Sequence, residues 1–514
     1  MGLRRRIEAR ELIVNPSLEE LRRLASKEEK TTIYGSASYI TKVRNRSAKN
    51  TYVVEDGLKL GVFQQPISLE KAAEIAEKVL RYLKDKVVIQ VDRTMGQTPE
   101  ARMSCRLYIT SEYARIPYMW CNTLFPPEEG ADGREHDMIS VYVPEWPERV
   151  IFVHPEEAIT YILGTDYFGE CKKSFLRMAM YLVKKRKAWL GFHAGSKVLR
   201  VKGNDGGTRD VGFIMFGLSG TGKTTLTVHN HNLSNEEGVI IRQDDAVFMD
   251  ERGYCYGSEN GFFFKTEGLD ESQRVLFDAA TKPTAVLENV KVYDDGTVDF
   301  GNFELTTNGR GVVLRSEVMD TDEEIDLERA DKILFITRRN DIVPVVAKLN
   351  PAQGAAFFML GESIETSAGD PTKAGQAKRE VGTNPFIMGP EYEEGNRLFE
   401  ILKANPDIEC FLLNTGYVGG KPGSQGEKIT IQVSAEIMKQ IAKNGIEWRE
   451  DPDWGYLVPS RVESINMEKY NPKNYFSEEE YRALTEKLRN ERKAWLEQFP
   501  ELDPAIPASI RCAE

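Results

Sequence analysis

The chain has 514 residues, 41% of them hydrophobic and 10% aromatic, more than one ordinary core can hold, so two substantial domains are expected. Its 68 basic and 80 acidic residues give a net charge of −12, which argues against a general nucleic-acid surface and requires a local basic cluster for any anionic substrate. The six cysteines show no C-x-x-C spacing, the basic opening MGLRRRIEARELIVNPS has no apolar run behind it, and no window approaches the ~18 apolar residues of a membrane span. A soluble cytoplasmic protein with no membrane partner, disulfide framework or cysteine zinc site is therefore expected.

Residues 17–30 are charge-rich and read as a solvated helix. Residues 87–92 (VVIQVD) read as a buried strand, and residues 102–110 alternate apolar and polar as a second. From about Ser196, short β-rich runs at 198–201, 211–216, 239–241 and 333–337 alternate with turns and helical stretches, the texture of a nucleotide-binding domain around a twisted sheet. The turn Gly203-Asn204-Asp205-Gly206-Gly207 joins two of these runs, so the boundary is placed near Gly195, dividing the chain into 1–195 and 196–514. Residues 361–384, rich in Gly, Thr, Ser and Lys and without an apolar period, have the length of an active-site lid or of a surface loop. A second charge-rich helix is expected over 477–499.

The strongest single feature is Gly217-Leu218-Ser219-Gly220-Thr221-Gly222-Lys223-Thr224, which satisfies G-x-x-x-x-G-K-[ST] directly after an apolar run. Its glycines let successive N–H groups point at phosphate oxygens, Lys223 supplies a cation to the outer phosphates, and the Thr224 hydroxyl can reach a bound magnesium. Farther on, the run Gly238-Val239-Ile240-Ile241-Arg242-Gln243 ends in Asp244-Asp245, oxygen ligands of the kind magnesium and manganese prefer. Alone, two aspartates after a strand are also ordinary turn chemistry; beyond a P-loop they become metal-ligand candidates.

The loop GLSGTGKTTL, which includes Thr225, resembles the kinase loop of ATP-using phosphoenolpyruvate carboxykinases, and the chain looks like a divergent member of that family. Gly164-Thr165-Asp166-Tyr167-Phe168-Gly169-Glu170-Cys171-Lys172-Lys173 is similar to the family's G-T-x-Y-x-G-E-x-K-K segment, and Arg46-Ser47-Ala48-Lys49 to its R-S-P-K motif. Lys265-Thr266, Leu287-Glu288-Asn289-Val290, Asn308-Gly309-Arg310 and Asn414-Thr415-Gly416 follow in matching order. The resemblance implies a two-domain α/β fold, with an N-terminal substrate-binding domain, a C-terminal P-loop mononucleotide- and metal-binding domain, and an active-site cleft between them. It implies reversible conversion of oxaloacetate and ATP to phosphoenolpyruvate, CO2 and ADP, with manganese (Mn2+) and magnesium (Mg2+) as cofactors and only small molecules as partners. By the same pattern, Lys173, His193 and Asp245 would hold the manganese, while Thr224 and Asp244 would assist the magnesium on the nucleotide. Lys172 would lower the charge of its neighbour Lys173, Arg46 and Arg310 would clamp the carboxylate and the transferring phosphoryl group, and Tyr167 would lie against substrate. Ser219 would touch substrate from within the loop, Lys265 would add charge near the phosphates, and Lys428 and Ser434 would stand where the family binds adenine.

The chain departs from the family pattern at Asn45 and Ala48 in the substrate loop, at Ala246-Val247-Phe248-Met249 after the acidic pair, and at Gln273 and Arg274 where an acidic residue usually meets the ribose. A related P-loop kinase phosphorylating another small molecule or a protein hydroxyl, or a non-catalytic nucleotide-binding regulator, are the competing readings. Retention of Lys173 and His193 favours the carboxykinase, because a hydroxyl nucleophile wants a general base more than an enolate stabiliser. The residues leave the oligomeric state open, with a monomer the default.

Overall fold

A computed structural model describes residues 2–128, 135–203, 206–218, 220–364, 376–421 and 423–510. The chain forms two compact units: one comprises Met1–Gly191, Tyr256–Ile325 and Phe386–Pro390, and the other Phe192–Cys255, Asp326–Pro385 and Glu391–Glu514. The first crossing lies between Gly191 and Phe192. The return of Tyr256–Ile325 differs from a single linear cut, because strands of that segment pair with strands near the N-terminus.

The larger sheet of the first unit contains β1 (Glu11–Val14), β2 (Thr51–Glu55), β3 (Pro66–Ser68), β4 (Val87–Met95), β5 (Met103–Thr110), β6 (Met138–Val143), β7 (Val150–His154) and β8 (Ile159–Leu163). They run in the order β1-β4-β5-β6-β8-β7-β2-β3, and the two strands expected from the sequence, β4 and β5, pair antiparallel. Helix α1 (Leu69–Leu83) starts at Ser68, whose side chain accepts from the Lys71 N–H at 3.2 Å. Ala72, Ala76, Val79 and Leu83 recur at helical spacing and bury one stripe against Val88, Val141, Phe152 and Tyr161. Each buried Val or Leu there contributes about 1.5–3 kcal/mol over an exposed one.

Helix α2 (Phe168–Lys187) is buried on all sides through Val183, ending where Ala188 turns left-handed at φ 54°. A helix without a solvent face is a core element, so its charged residues Glu170, Lys172 and Arg177 all need partners. Asp166, just before it, accepts from the Lys42 and Val43 N–H groups at 2.9 and 2.8 Å and from the Arg115 guanidinium at 2.8 Å.

The second sheet of this unit runs Phe262–Lys265, Arg310–Val313, Val286–Glu288, Ala37–Tyr39, Lys30–Thr31. The helix expected over 17–30 is therefore shorter, Leu18–Ala25, because Lys30 and Thr31 join this sheet.

In the second unit the sheet is built from β9 (Leu190–Lys202), β10 (Thr208–Gly217), β11 (Gly238–Gln243), β12 (Ala246–Met249), β13 (Lys332–Thr337), β14 (Val346–Leu349), β15 (Glu409–Asn414), β16 (Ile446–Glu450) and β17 (Leu457–Val462). They run β12-β9-β10-β13-β15-β14-β17-β16, with β11 also pairing β9. The loop at 203–207 joins β9 to β10, its Gly203 N–H donating to the Gly207 carbonyl at 2.8 Å. At the centre β10, β13 and β15 are parallel, so their C-terminal ends open on one edge, the edge at which sheets of this kind bind ligands. Phe216 and Phe335 stack across β10 and β13 at 5.4 Å, under Phe358 of helix α3 (Pro351–Leu360). The expected C-terminal helix is Glu478–Leu496, started by a reciprocal cap between Ser477 and Glu480.

The two ends of the segment 361–384 form regular structure. Glu362–Ile364 pairs antiparallel with Ala377–Arg379, and residues 365–375 lie outside the described residues. The base of this hairpin is fastened by Glu362, 5% exposed, whose carboxylate accepts from Arg492 at 2.7 and 3.1 Å and from Arg379 at 3.0 Å. Asp166→Ala, which removes the carboxylate from two backbone donors and from the 0%-exposed Arg115 and leaves Arg115 its ion pair with Glu28 at 3.0 Å, is expected to cost on the order of 3 kcal/mol, read as a drop in the denaturant midpoint.

Candidate active site

In the second unit the chain leaves β10 at Gly217, turns, and enters a short helix at Lys223–Val228. Gly220 and Gly222 sit at φ 85° and 90°, the left-handed region that favours glycine, and a Cβ on Gly217 would meet the Thr221 hydroxyl at 2.5 Å. The Leu218 carbonyl accepts from the Thr221 N–H and hydroxyl at 3.1 and 2.8 Å, closing the turn. Ser219 lies outside the described residues. The Lys223 ammonium donates to the Asp244 carbonyl at 3.0 Å, and the Thr224 hydroxyl to the Asp244 carboxylate at 3.1 Å. Thr225 follows on the same short helix, half-buried.

The two aspartates diverge, as successive side chains at a strand end do. Asp244 faces the loop, whereas the Asp245 carboxylate lies 3.2 Å from Nε2 of His193. The other ring nitrogen of His193 is 2.8 Å from the Thr383 carbonyl, which can only accept, so Nδ1 carries a proton and Nε2 is the nitrogen presented to Asp245. An imidazole nitrogen beside a carboxylate oxygen suits manganese, and a hydroxyl beside a carboxylate suits magnesium.

Polar groups just beyond each central parallel strand brace the loop from behind. After β15, the Thr415 hydroxyl contacts the Thr221 and Thr337 carbonyls at 2.7 and 3.1 Å. Asn414, fully buried, accepts from the Arg339 and Gly416 N–H groups at 2.9 and 3.0 Å. After β13, Arg338 donates to the Gly220 carbonyl at 3.1 Å. Arg338 was not legible as a loop residue; its signal was position, at the end of an apolar run beside the P-loop strand. Lys197 was missed too: fully buried, it donates to the Leu226 and His229 carbonyls where the short helix ends. It also meets His231, whose ring burial and the Lys197 charge hold well below the ordinary histidine range. Lys428 is exposed on the small strand Glu427–Lys428, whereas Ser434 is 1% exposed on the helix Ile431–Lys443, so the two expected adenine contacts differ in access.

In the first unit one register of the second sheet aligns Lys265, Arg310, Glu288 and Tyr39, and directly paired residues share a face. Arg310 donates to the Tyr167 hydroxyl at 3.1 Å and to Asn308 at 2.8 Å, and lies over the Phe263 ring at 5.2 Å. Lys265, partly exposed, is 3.6 Å from Glu267. The lysine doublet is split. Lys172 is 1% exposed and donates to the Glu259 carboxylate at 2.6 Å, an internal ion pair, while Lys173 lies over the Phe386 ring at 5.2 Å. Arg46 lies over the same ring at 4.9 Å.

In the sequence Glu288 stands out only as a member of the matching tetrapeptide Leu287-Glu288-Asn289-Val290. Fully buried, it accepts the first N–H of α2, from Phe168, at 2.9 Å, and its second oxygen has no hydrogen-bond partner. Burial, reinforced by Asp166 and opposed by Arg115, the Phe168 N–H and Arg310, pushes its carboxyl up from 4.5 to about 7. The folded state thus keeps this proton while the unfolded chain releases it, so the contribution of Glu288 to stability falls as pH rises from 4.5 to about 7, at about 1.4 kcal/mol per unit. Glu288→Gln retains an oxygen for Phe168, and its stability relative to wild type should rise across that window; parallel denaturation curves at pH 5 and pH 8 measure the change.

A family model described as phosphoenolpyruvate carboxykinase matches residues 10–468. A phosphoenolpyruvate carboxykinase (ATP) of Aeropyrum pernix is 34% identical over 414 residues, covering 80% of this chain and 81% of the relative. One of Geobacillus thermodenitrificans is 27% identical over 511 residues, covering 93% and 92%, and one of Staphylococcus aureus is 26% identical over 488 residues, covering 90% and 88%.

Proposed function

Because the chain belongs to the phosphoenolpyruvate carboxykinase family, we propose that it decarboxylates oxaloacetate and passes the γ-phosphoryl group of ATP to the enolate so formed. The C–C bond to the departing carboxylate breaks, its electron pair becomes the enolate, and CO2 leaves. The enolate oxygen then bonds the γ-phosphorus as the β,γ-bridging P–O bond breaks, releasing ADP, and the sequence runs in either direction. The observation that carries this reading is the divergence of the acidic pair, one carboxylate on the P-loop threonine and the other on a histidine whose tautomer a carbonyl has set.

The P-loop backbone and Lys223 receive the outer phosphates, and the resemblance implies Lys265 as a further cation for them. Arg310, held by Tyr167 and Asn308, offers a guanidinium to the group in transfer, and Arg46 meets a substrate carboxylate. Thr224 and Asp244 would hold magnesium; His193 and Asp245, with Lys173 as the further ligand implied by the resemblance, would hold manganese. Bound there, the cations neutralise charge developing on phosphate and enolate oxygens. Among the described residues no helix is long and apolar enough to cross a membrane.

Purified protein with manganese, magnesium and ATP is expected to form phosphoenolpyruvate from oxaloacetate in a coupled assay. Lys223→Ala and His193→Ala should each lower kcat by on the order of a thousandfold. GTP and pyrophosphate run in parallel identify the phosphoryl donor, and tight ATP binding without turnover on any donor would overturn the proposal.

A further inference from the structure

Helix α2 places a charged stripe on one face: Glu170, Lys173 and Arg177 stand at i, i+3 and i+7. Within the first unit, three cations gather on one aromatic ring. The Phe386 centroid lies 4.9 Å from the Arg46 guanidinium, 5.2 Å from the Lys173 ammonium and 5.7 Å from the Arg177 guanidinium. Arg177 is 7% exposed, and neither it nor Arg46 forms an ion pair within 4.0 Å among the described residues.

Like charges this close repel, and burial removes the water that would screen them. Desolvation pushes the Arg177 guanidinium down to about 10, with Glu170 opposing and Arg46 adding to the shift, so it remains charged at neutral pH. One ring offers a cation only a modest attraction and cannot neutralise the two guanidiniums of Arg46 and Arg177. The carboxylate of Glu170 is engaged by the Ser47 N–H in the substrate loop. Ser47 itself is 2% exposed, and its hydroxyl has no hydrogen-bond partner. Surplus positive charge and an unpaired hydroxyl thus occur on one substrate loop and the helix fastened to it.

We propose that Arg177 is a specificity-determining residue: together with Arg46, Ser47 and the Phe386 ring it forms an anion pocket that favours small dianions over monoanions. The assignment rests on the function proposed above, whose substrate is a dicarboxylate, and it adds a residue that none of the matching motifs contains. Arg177 supplies the second positive charge, so its removal costs a doubly charged ligand more than a singly charged one.

The test is calorimetric binding of oxalate, a dianion, and pyruvate, a monoanion, to manganese-loaded wild-type, Arg177→Gln and Arg177→Lys proteins, with ATP binding and thermal midpoint measured alongside. Arg177→Gln is expected to weaken oxalate about tenfold or more and pyruvate less than about threefold, to leave ATP unchanged, and to raise the KM for oxaloacetate more than it lowers kcat. Arg177→Lys should restore most of the oxalate affinity. Equal losses for both anions, no loss for oxalate, or weakened ATP binding with a lowered midpoint in both variants would overturn the assignment. Because binding needs no turnover, the two readings fail separately: a wild type that discriminates between the anions yet makes no phosphoenolpyruvate loses only the catalytic proposal.

Discussion

Positive charge withdrawn from water is the constraint on which much of this molecule depends. A chain with a net charge of −12 repels small anions over most of its surface, so anion capture needs sites where cations outnumber carboxylates. Such sites are unstable unless the surrounding fold holds them. In the first unit the holding is done by Asp166 and Glu288, which tie the start of α2 to backbone N–H groups. Lys172 is paired with Glu259, whereas Arg177 forms no ion pair within 4.0 Å among the described residues and has Glu170 only as a more distant opposite charge. The same helix therefore contains one directly paired and one unpaired buried cation, and by the proposal above the unpaired one faces ligand.

The second unit solves the phosphate problem with backbone groups instead. The strained glycine turn presents N–H donors, and the surrounding polar side chains bind carbonyls of the loop and so keep its amides free to point the other way. Thr415 and Arg338 contact neighbouring positions of the loop from the ends of the two parallel strands beside it. The Lys197 ammonium does the corresponding work at the far end of the short helix, satisfying carbonyls that six residues of helix leave exposed.

Legibility in the sequence followed the range of the interactions concerned. The P-loop, the acidic pair and strands β4, β5, β10 and β13 were readable because each is a short run with its own period or spacing. The small sheet of the first unit was not, since its strands come from residues 30–39 and 262–313, and the helix over 17–30 was overextended for the same reason. The division of labour within Lys172-Lys173 was equally hidden: adjacent residues on a helix point about 100° apart, and only the position of Glu259 decides which one is internal. Residues 361–384 lacked an apolar pattern because the hairpin at their base is fastened by Glu362 and arginines, not by a hydrophobic face. Glu288 lies in a matching motif and Arg177 just beyond one, yet neither announces anything by residue type; burial without an ion pair among the described residues is what distinguishes them.

The return of the chain to its first unit bears on how the protein is made. Residues up to Gly191 lack the strands of Tyr256–Ile325 and the ring of Phe386, so a nascent chain that has just finished α2 has an open sheet edge at Ala37–Tyr39 and no aromatic surface for Arg46, Lys173 and Arg177. Roughly three-quarters of the polypeptide must leave the ribosome before that unit can close, and such long-range closures are slow. Excising the N-terminal portion as a free-standing fragment would leave the anion pocket without its aromatic platform, whereas the P-loop, with its brace from residues 337–339 and 414–416, belongs wholly to the other unit.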